Sequence, residues 1–219
     1  TVNSKQFSHS HYMALKTKDA ICDRFKEIYG KRPSIDKHVP DLMINLHIQH
    51  NECSISIDST GDSLHKRGYR TSGHIAPLNE VLAAGLIQLS GWQGNTDFYD
   101  PMCGRGTIII EAALFACNIP VNINRKFFAF EKWKDWDESL FETIKNSQLK
   151  KISNPAIQIK GSDKAPSAIE KALQNVENAN LSDFISLEKK DFFQVEKETK
   201  GPLHLLTNPP YGERLEGDM

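Results

Sequence analysis

From Ala76 onward, short apolar strands alternate with helices, and each strand runs into a polar residue. Thr96 to Tyr99 leads to Asp100, Ile157 to Ile159 runs on to Asp163, Ile185 to Leu187 to Asp191, and Leu203 to Leu206 to Asn208. Between them, Asn79 to Leu89, Thr107 to Cys117 and Pro166 to Ala179 carry helical apolar spacing. This order excludes a helical bundle or an antiparallel meander and predicts an α/β fold with a parallel, doubly wound sheet. Such sheets bind ligands beyond the carboxyl ends of their strands. All four polar residues are expected at those ends.

Residues 1–60 have a different pattern. Ile21, Phe25 and Ile28 fall on one face of a helix over Lys16 to Ile28, which Gly30 and Pro33 end. Leu42, Ile44, Leu46 and Ile48 alternate with polar or less apolar neighbours, as do Ile55 and Ile57, with a turn at His50-Asn51-Glu52. The expectation is a helix followed by an antiparallel hairpin of half-buried strands, in an α+β module. Sixty residues bury too little surface for a full core, so the module is expected to continue upstream. Residues 61–75 are read as a basic linker, and residues 76–219 as the first part of the parallel-sheet domain.

Two further stretches admit two readings each. The polar run Ser59 to His74 sets Lys66, Arg67 and Arg70 around Tyr69. It is either a solvated connector or an arm contacting RNA phosphates. Asn118 to Asn154 interrupts the strand-helix rhythm with Phe127, Phe128, Phe130, Trp133 and Trp136 among basic residues. It either packs its own aromatics or forms a wall that stacks nucleotides.

Composition closes several routes. No window is apolar enough for a membrane span, and Thr1 to Ser10 lacks the form of a signal peptide. The four cysteines and eight histidines fit neither zinc spacing nor a disulfide framework, so no metal and a reduced, cytoplasmic setting are expected. The net charge of −1 supplies no global basic footprint. Any nucleic-acid role therefore rests on local features.

Four constellations carry chemistry. Asp100-Pro101-Met102-Cys103-Gly104-Arg105-Gly106-Thr107 follows a strand and opens a helix. Its glycines allow close backbone approach and its helix start favours an anion, yet it is neither a P-loop nor a full G-x-G-x-x-G. Asp163 suits the hydroxyls of a ribose, or caps the helix that follows it. Asp191 and Phe192 suit the edge and face of an adenine, or form a strand-end turn with a core Phe. Asn208-Pro209-Pro210-Tyr211 after an apolar strand is the most specific. A base's exocyclic amine is conjugated and a poor nucleophile. The Asn208 side-chain carbonyl and the Pro209 backbone carbonyl can accept its two N–H bonds and draw the lone pair out of conjugation. The prolines preorganise these acceptors, and Tyr211 can stack on a flipped base.

Together these motifs resemble the Rossmann-fold S-adenosylmethionine (SAM)-dependent methyltransferases. More closely, the chain is similar to the RlmL type of bacterial 23S rRNA guanine-N2 methyltransferase, in which a THUMP RNA-binding domain precedes the catalytic domain. The similarity lies in Asp58 to Arg70, Ala76 to Glu80, Asp100 to Thr107 and Asn208 to Leu215. It implies a partial THUMP domain in residues 1–60, SAM contacts at Asp100, Gly104, Gly106, Asp163 and Asp191, catalysis by Asn208, Pro209, Pro210 and Tyr211, and a 23S rRNA substrate. The readings of the residues themselves add Pro101, Thr107 and Phe192 to the cofactor contacts and Lys66, Arg67 and Arg70 as RNA contacts. Arg105 departs from the small residue common in that loop. The family's sheet has seven strands, so a chain ending after the fourth is expected to be poorly active alone. The competing readings are a DNA adenine-N6 methylase, which shares the Asn-Pro-Pro-Tyr motif, and a non-catalytic RNA-binding protein that keeps the fold.

Overall fold

The computed structural model describes residues 4, 7–50, 52–70, 78–196 and 201–210. The chain forms two compact units, one of residues 1–62 with 126–136, the other of residues 63–125 with 137–219.

The first unit has a helix, α1 (Ser10–Tyr29), and an antiparallel hairpin of β1 (Met43–Gln49) and β2 (Glu52–Asp58). Helix α1 starts where His9 accepts the Tyr12 N–H and stops at Gly30, whose φ of 73° only glycine adopts readily. The hairpin register sets Ile44 opposite Ile57, Leu46 opposite Ile55 and Ile48 opposite Cys53, so all six share one face. Only Ile48 is buried, while Ile44, Ile55 and Ile57 are exposed. The alternation therefore places the strands and their register, but these strands are less buried than expected. Two strands cannot cover their own apolar face.

The aromatic segment joins this first unit. The amide N–H groups of Ala129 and Phe130 donate to the carbonyls of Thr60 and Ser59, just past β2. Phe128 and Phe130 stack at 5.1 Å, Phe130 meets Trp136 at 5.3 Å, and Lys132 pairs with Asp41 at 2.7 Å. The rings pack on one another, the first of the two readings.

The second unit is a four-stranded parallel sheet of β3 (Asp97–Asp100), β4 (Ile159–Asp163), β5 (Ile185–Lys189) and β6 (Leu203–Leu205), in the order β5-β4-β3-β6. Its helices are α2 (Glu80–Leu89), α3 (Thr107–Ala116), α4 (Glu138–Leu149) and α5 (Pro166–Asn178). Helix α3 is buried nearly all round, as its run of Ile and Ala demands, and it packs on β3 and β4 through Ile109 and Ile110. Gly161 permits that approach, since a Cβ there would lie 2.8 Å from Ile109 Cδ1. Phe98 and Trp92 anchor the core with ring centroids 4.6 Å apart. Helix α5 buries Ile169, Ala172, Asn175 and Val176 on one face.

The basic segment expected to be a linker is built into this second unit. Tyr69 lies in its core. Arg67 donates to both carboxylate oxygens of Glu111 on α3, at 3.3 and 3.2 Å, and the Tyr69 hydroxyl donates to the same carboxylate. Burial pushes the Glu111 carboxyl above its ordinary range, and Arg67 opposes the shift. The Arg67 and Glu111 side chains are only 7% and 1% exposed, so neither charge has water to fall back on. Arg67→Ala should therefore cost the second unit roughly 3–5 kcal/mol in denaturant unfolding. Arg67→Met with Glu111→Leu should restore most of it. A loss below about 1 kcal/mol in the single variant would contradict this account.

Candidate functional site

The strand order explains why distant residues meet. β3 lies between β4 and β6, so the chain reverses direction across the sheet at β3, the kind of switch point at whose carboxyl ends open parallel sheets take ligands. Asp100 ends β3, Asp163 ends β4, Asp191 follows β5, and Asn208 follows β6.

Asp100 is only 1% exposed. Its Oδ1 accepts the Met102 N–H at 3.1 Å. Burial pushes its carboxyl up to about 6, with the nearby Asp163 charge adding to the shift. The Thr207 hydroxyl and the Met102 amide oppose it. The Thr207 Oγ1 is itself buried.

The loop between β3 and α3 is held at several points. Gly104 and Gly106 have φ of 53° and 82°, a backbone conformation that side chains resist. The Gly104 N–H donates to Asp163 Oδ2 at 3.0 Å, and the Ala165 N–H donates to Asp163 Oδ1 at 2.9 Å. Asp163 thus joins the loop to the end of β4. The N-cap position of α5 belongs to Ala165, which corrects the reading of Asp163 as that helix's cap. The Cys103 N–H donates to the Ser162 carbonyl, while the Ser162 hydroxyl meets Tyr99 at 2.6 Å. Among the described residues, no side chain caps α3, so its first backbone donors have no side-chain acceptor. Burial raises the Cys103 thiol well above its ordinary range, consistent with a structural thiol.

Asp191 accepts the Phe193 N–H at 3.0 Å and starts a short 3-10 turn over Phe192–Gln194. Phe192 is 40% exposed, so it is not a core residue. The Lys190 N–H donates to the Asp163 carbonyl, tying this turn to the end of β4. Asn208 is half-buried, and Pro209 and Pro210 are exposed. Tyr211 lies outside the described residues.

The basic trio divides. Lys66 is exposed. Arg67 is bound to Glu111, and Arg70 pairs with Glu80 on α2 at 2.8 Å. The expected phosphate contacts by Arg67 and Arg70 give way to internal ion pairs, because both guanidiniums point into the fold.

Sequence reasoning missed Glu80, Glu111, Ser162 and Asn175. All four are buried polar residues. Asn175 donates to the Arg105 carbonyl at 3.0 Å and so holds the odd member of the loop by its backbone. A signal was present: Glu111 interrupts an apolar helix, and Asn175 falls on the buried face of α5 between Ala172 and Val176. Among the described residues, no helix is long and apolar enough to cross a membrane.

A family model described as the RMKL-like methyltransferase domain matches residues 67–218, and a THUMP domain model matches residues 1–58. The chain is 38% identical to a candidate RNA methyltransferase of Synechocystis sp., covering 98% of this chain and 56% of that protein. It is 37% identical to the ribosomal RNA large subunit methyltransferase K/L of Marinomonas sp., covering 96% of this chain and 30% of that protein. Among solved structures it resembles SMU.472, a candidate methyltransferase complexed with SAH, at 35% identity and a TM-score of 0.77. That match covers 92% of this chain and 53% of the other. The chain thus spans about half the length, or less, of these proteins.

Buried Asp100 generates a pH prediction. Its folded value of about 6 exceeds the ordinary 3.8, so the folded state holds the proton more tightly. Stability is lost as pH rises through that window, by roughly 3 kcal/mol once the group is ionised. Asp100→Asn should raise the melting temperature at about pH 8, with the gain shrinking to nothing near pH 4. A variant less stable than the parent at about pH 8 would contradict the assignment.

Proposed function

The chain belongs to the RMKL-like methyltransferase family, with a THUMP domain before the catalytic one, and from that premise we infer that it methylates the exocyclic N2 amine of a guanine in 23S rRNA, in the cytoplasm, with SAM as donor. The observation that carries this reading is the convergence of Asp100, Asp163, Asp191 and Asn208 at the carboxyl ends of one parallel sheet.

The residues suit the donor. A buried carboxylate at Asp100 favours a cation beside it, as a sulfonium and an α-ammonium group supply. Gly104 and Gly106 let the backbone approach closely, with Pro101 and Thr107 at the two ends of the loop. Asp163, at the end of β4, accepts the ribose hydroxyls in this reading. Asp191 accepts from the adenine amino group, and the exposed ring of Phe192 offers a stacking face. When bound, SAM supplies an electrophilic methyl group with a good leaving group.

The remaining work is positional. Asn208 and the Pro209 carbonyl orient the target amine and withdraw its lone pair from conjugation, while Pro210 keeps the turn rigid. Tyr211 stacks on the flipped base. Lys66, exposed on the second unit, contacts an RNA phosphate in this reading.

The test uses the full-length protein with labelled SAM and either unmodified rRNA or duplex DNA, followed by identification of the methylated nucleoside. N2-methylguanosine is expected. N6-methyladenine would replace this reading with a DNA adenine methylase, and no transfer to either would favour a non-catalytic binding protein. Asn208→Ala should lower transfer by about 10²-fold or more while SAM affinity changes little. Equal turnover in that variant would remove Asn208 from the mechanism.

A further inference from the structure

We propose that Arg70 is a positioning residue for the cofactor loop, a role that rests on the placement of SAM at the strand ends given above. Its guanidinium reaches three groups on two helices. Nε pairs with Glu80 Oε1 on α2 at 2.8 Å. One terminal nitrogen donates to the Leu78 carbonyl, just before α2. The same nitrogen donates at 3.2 Å to the hydroxyl of Thr107, the first residue of α3.

Thr107 follows directly on Gly106, whose positive φ turns the chain from loop into helix. The bond from Arg70 therefore fixes the point where the loop's backbone donors acquire their direction. Other side chains hold the same loop: Ser162 at the Pro101 carbonyl, Asp163 at the Gly104 N–H and Asn175 at the Arg105 carbonyl. Arg70 supplies a further hold, at the loop's far end.

Arg67 and Arg70 both reach α3, but at different places. Arg67 binds Glu111, one turn further along, where α3 is buried in the core. Arg70 binds at the helix start, next to the glycines. Tyr69, between them, donates to Glu111 and accepts from Asn178 of α5 through its carbonyl. The segment 67–70 is thereby fastened to α3 and α5 before Arg70 reaches forward. The planar fork of Arg spans the α2 carboxylate and the α3 hydroxyl together, which the single ammonium of Lys cannot do. Displacing such a loop misaligns the backbone donors that bound SAM would meet, so its first effect is on SAM affinity rather than on the chemical step.

The experiment compares Arg70→Lys, Thr107→Val and the double variant in the full-length protein. It measures SAM affinity by calorimetry, kcat at saturating SAM, and melting temperature. Arg70→Lys should weaken SAM binding about tenfold, with kcat at saturation changed less than about threefold, and Thr107→Val should weaken SAM binding by at least as much. The double variant should be no weaker than the worse single, because one interaction is removed twice. Thr107→Val serves if Arg70→Lys fails to fold. A lower melting temperature with unchanged SAM affinity in the folded protein, or fully additive losses, would overturn the proposal. Asp163→Ala separates the two layers. Undiminished SAM affinity in Asp163→Ala would overturn the cofactor placement and the Arg70 role with it. A loss there with none in Arg70→Lys or Thr107→Val would overturn the Arg70 role alone.

Discussion

Parallel pairing of β3 with β4 on one side and β6 on the other sets the geometry of the second unit. Parallel strands share a direction, so their carboxyl ends open on the same edge, and the chain can leave each end only through a loop on that edge. Asp100, Asp163 and Asn208 come from three such ends and are separated by dozens of residues in sequence. The hydrogen-bonded ladder brings them together before any side chain contributes. The loop from β3 to α3 then closes over the edge because Gly104 and Gly106 accept a backbone that other residues resist.

Burial of charge shapes the rest of this unit. Asp100 is buried, and none of the causes of its raised pKa is a cation among the described residues. Glu111 is buried with Arg67 and Tyr69 against it, and Glu80 with Arg70. The first case suits a site that a cationic ligand completes. The other two suit a scaffold, because their partners come from the chain itself. Among the described residues, this unit therefore holds one buried carboxylate at the strand ends without a cationic partner and two that have one.

Much of this was legible in the sequence. The order of strands and helices, the Gly-rich loop and the polar strand ends all depend on local patterns, and local patterns are readable without a structure. The hairpin of the first unit was also readable, since alternation sets its register. Its degree of burial was not, because that depends on what covers the face. The roles of Arg67 and Arg70 were misjudged for a related reason. A run of basic residues around an aromatic looks the same whether it faces solvent or folds inward, and only the acidic partners, Glu80 and Glu111, distinguish the two. Those partners lie 10 and 44 positions away in the chain.

The sequence by itself determined the reaction-bearing motifs and the class of sheet that presents them, because backbone preference and hydrophobic period act over a few residues. Only the tertiary structure decided which charges lie at the strand ends and which are consumed within the fold. It also decided that the aromatic segment packs with the hairpin, and that Asp163 and Asn175 hold the glycine loop. Each of these depends on which groups meet across the fold, and long-range contact is set by packing of the whole unit rather than by any local pattern.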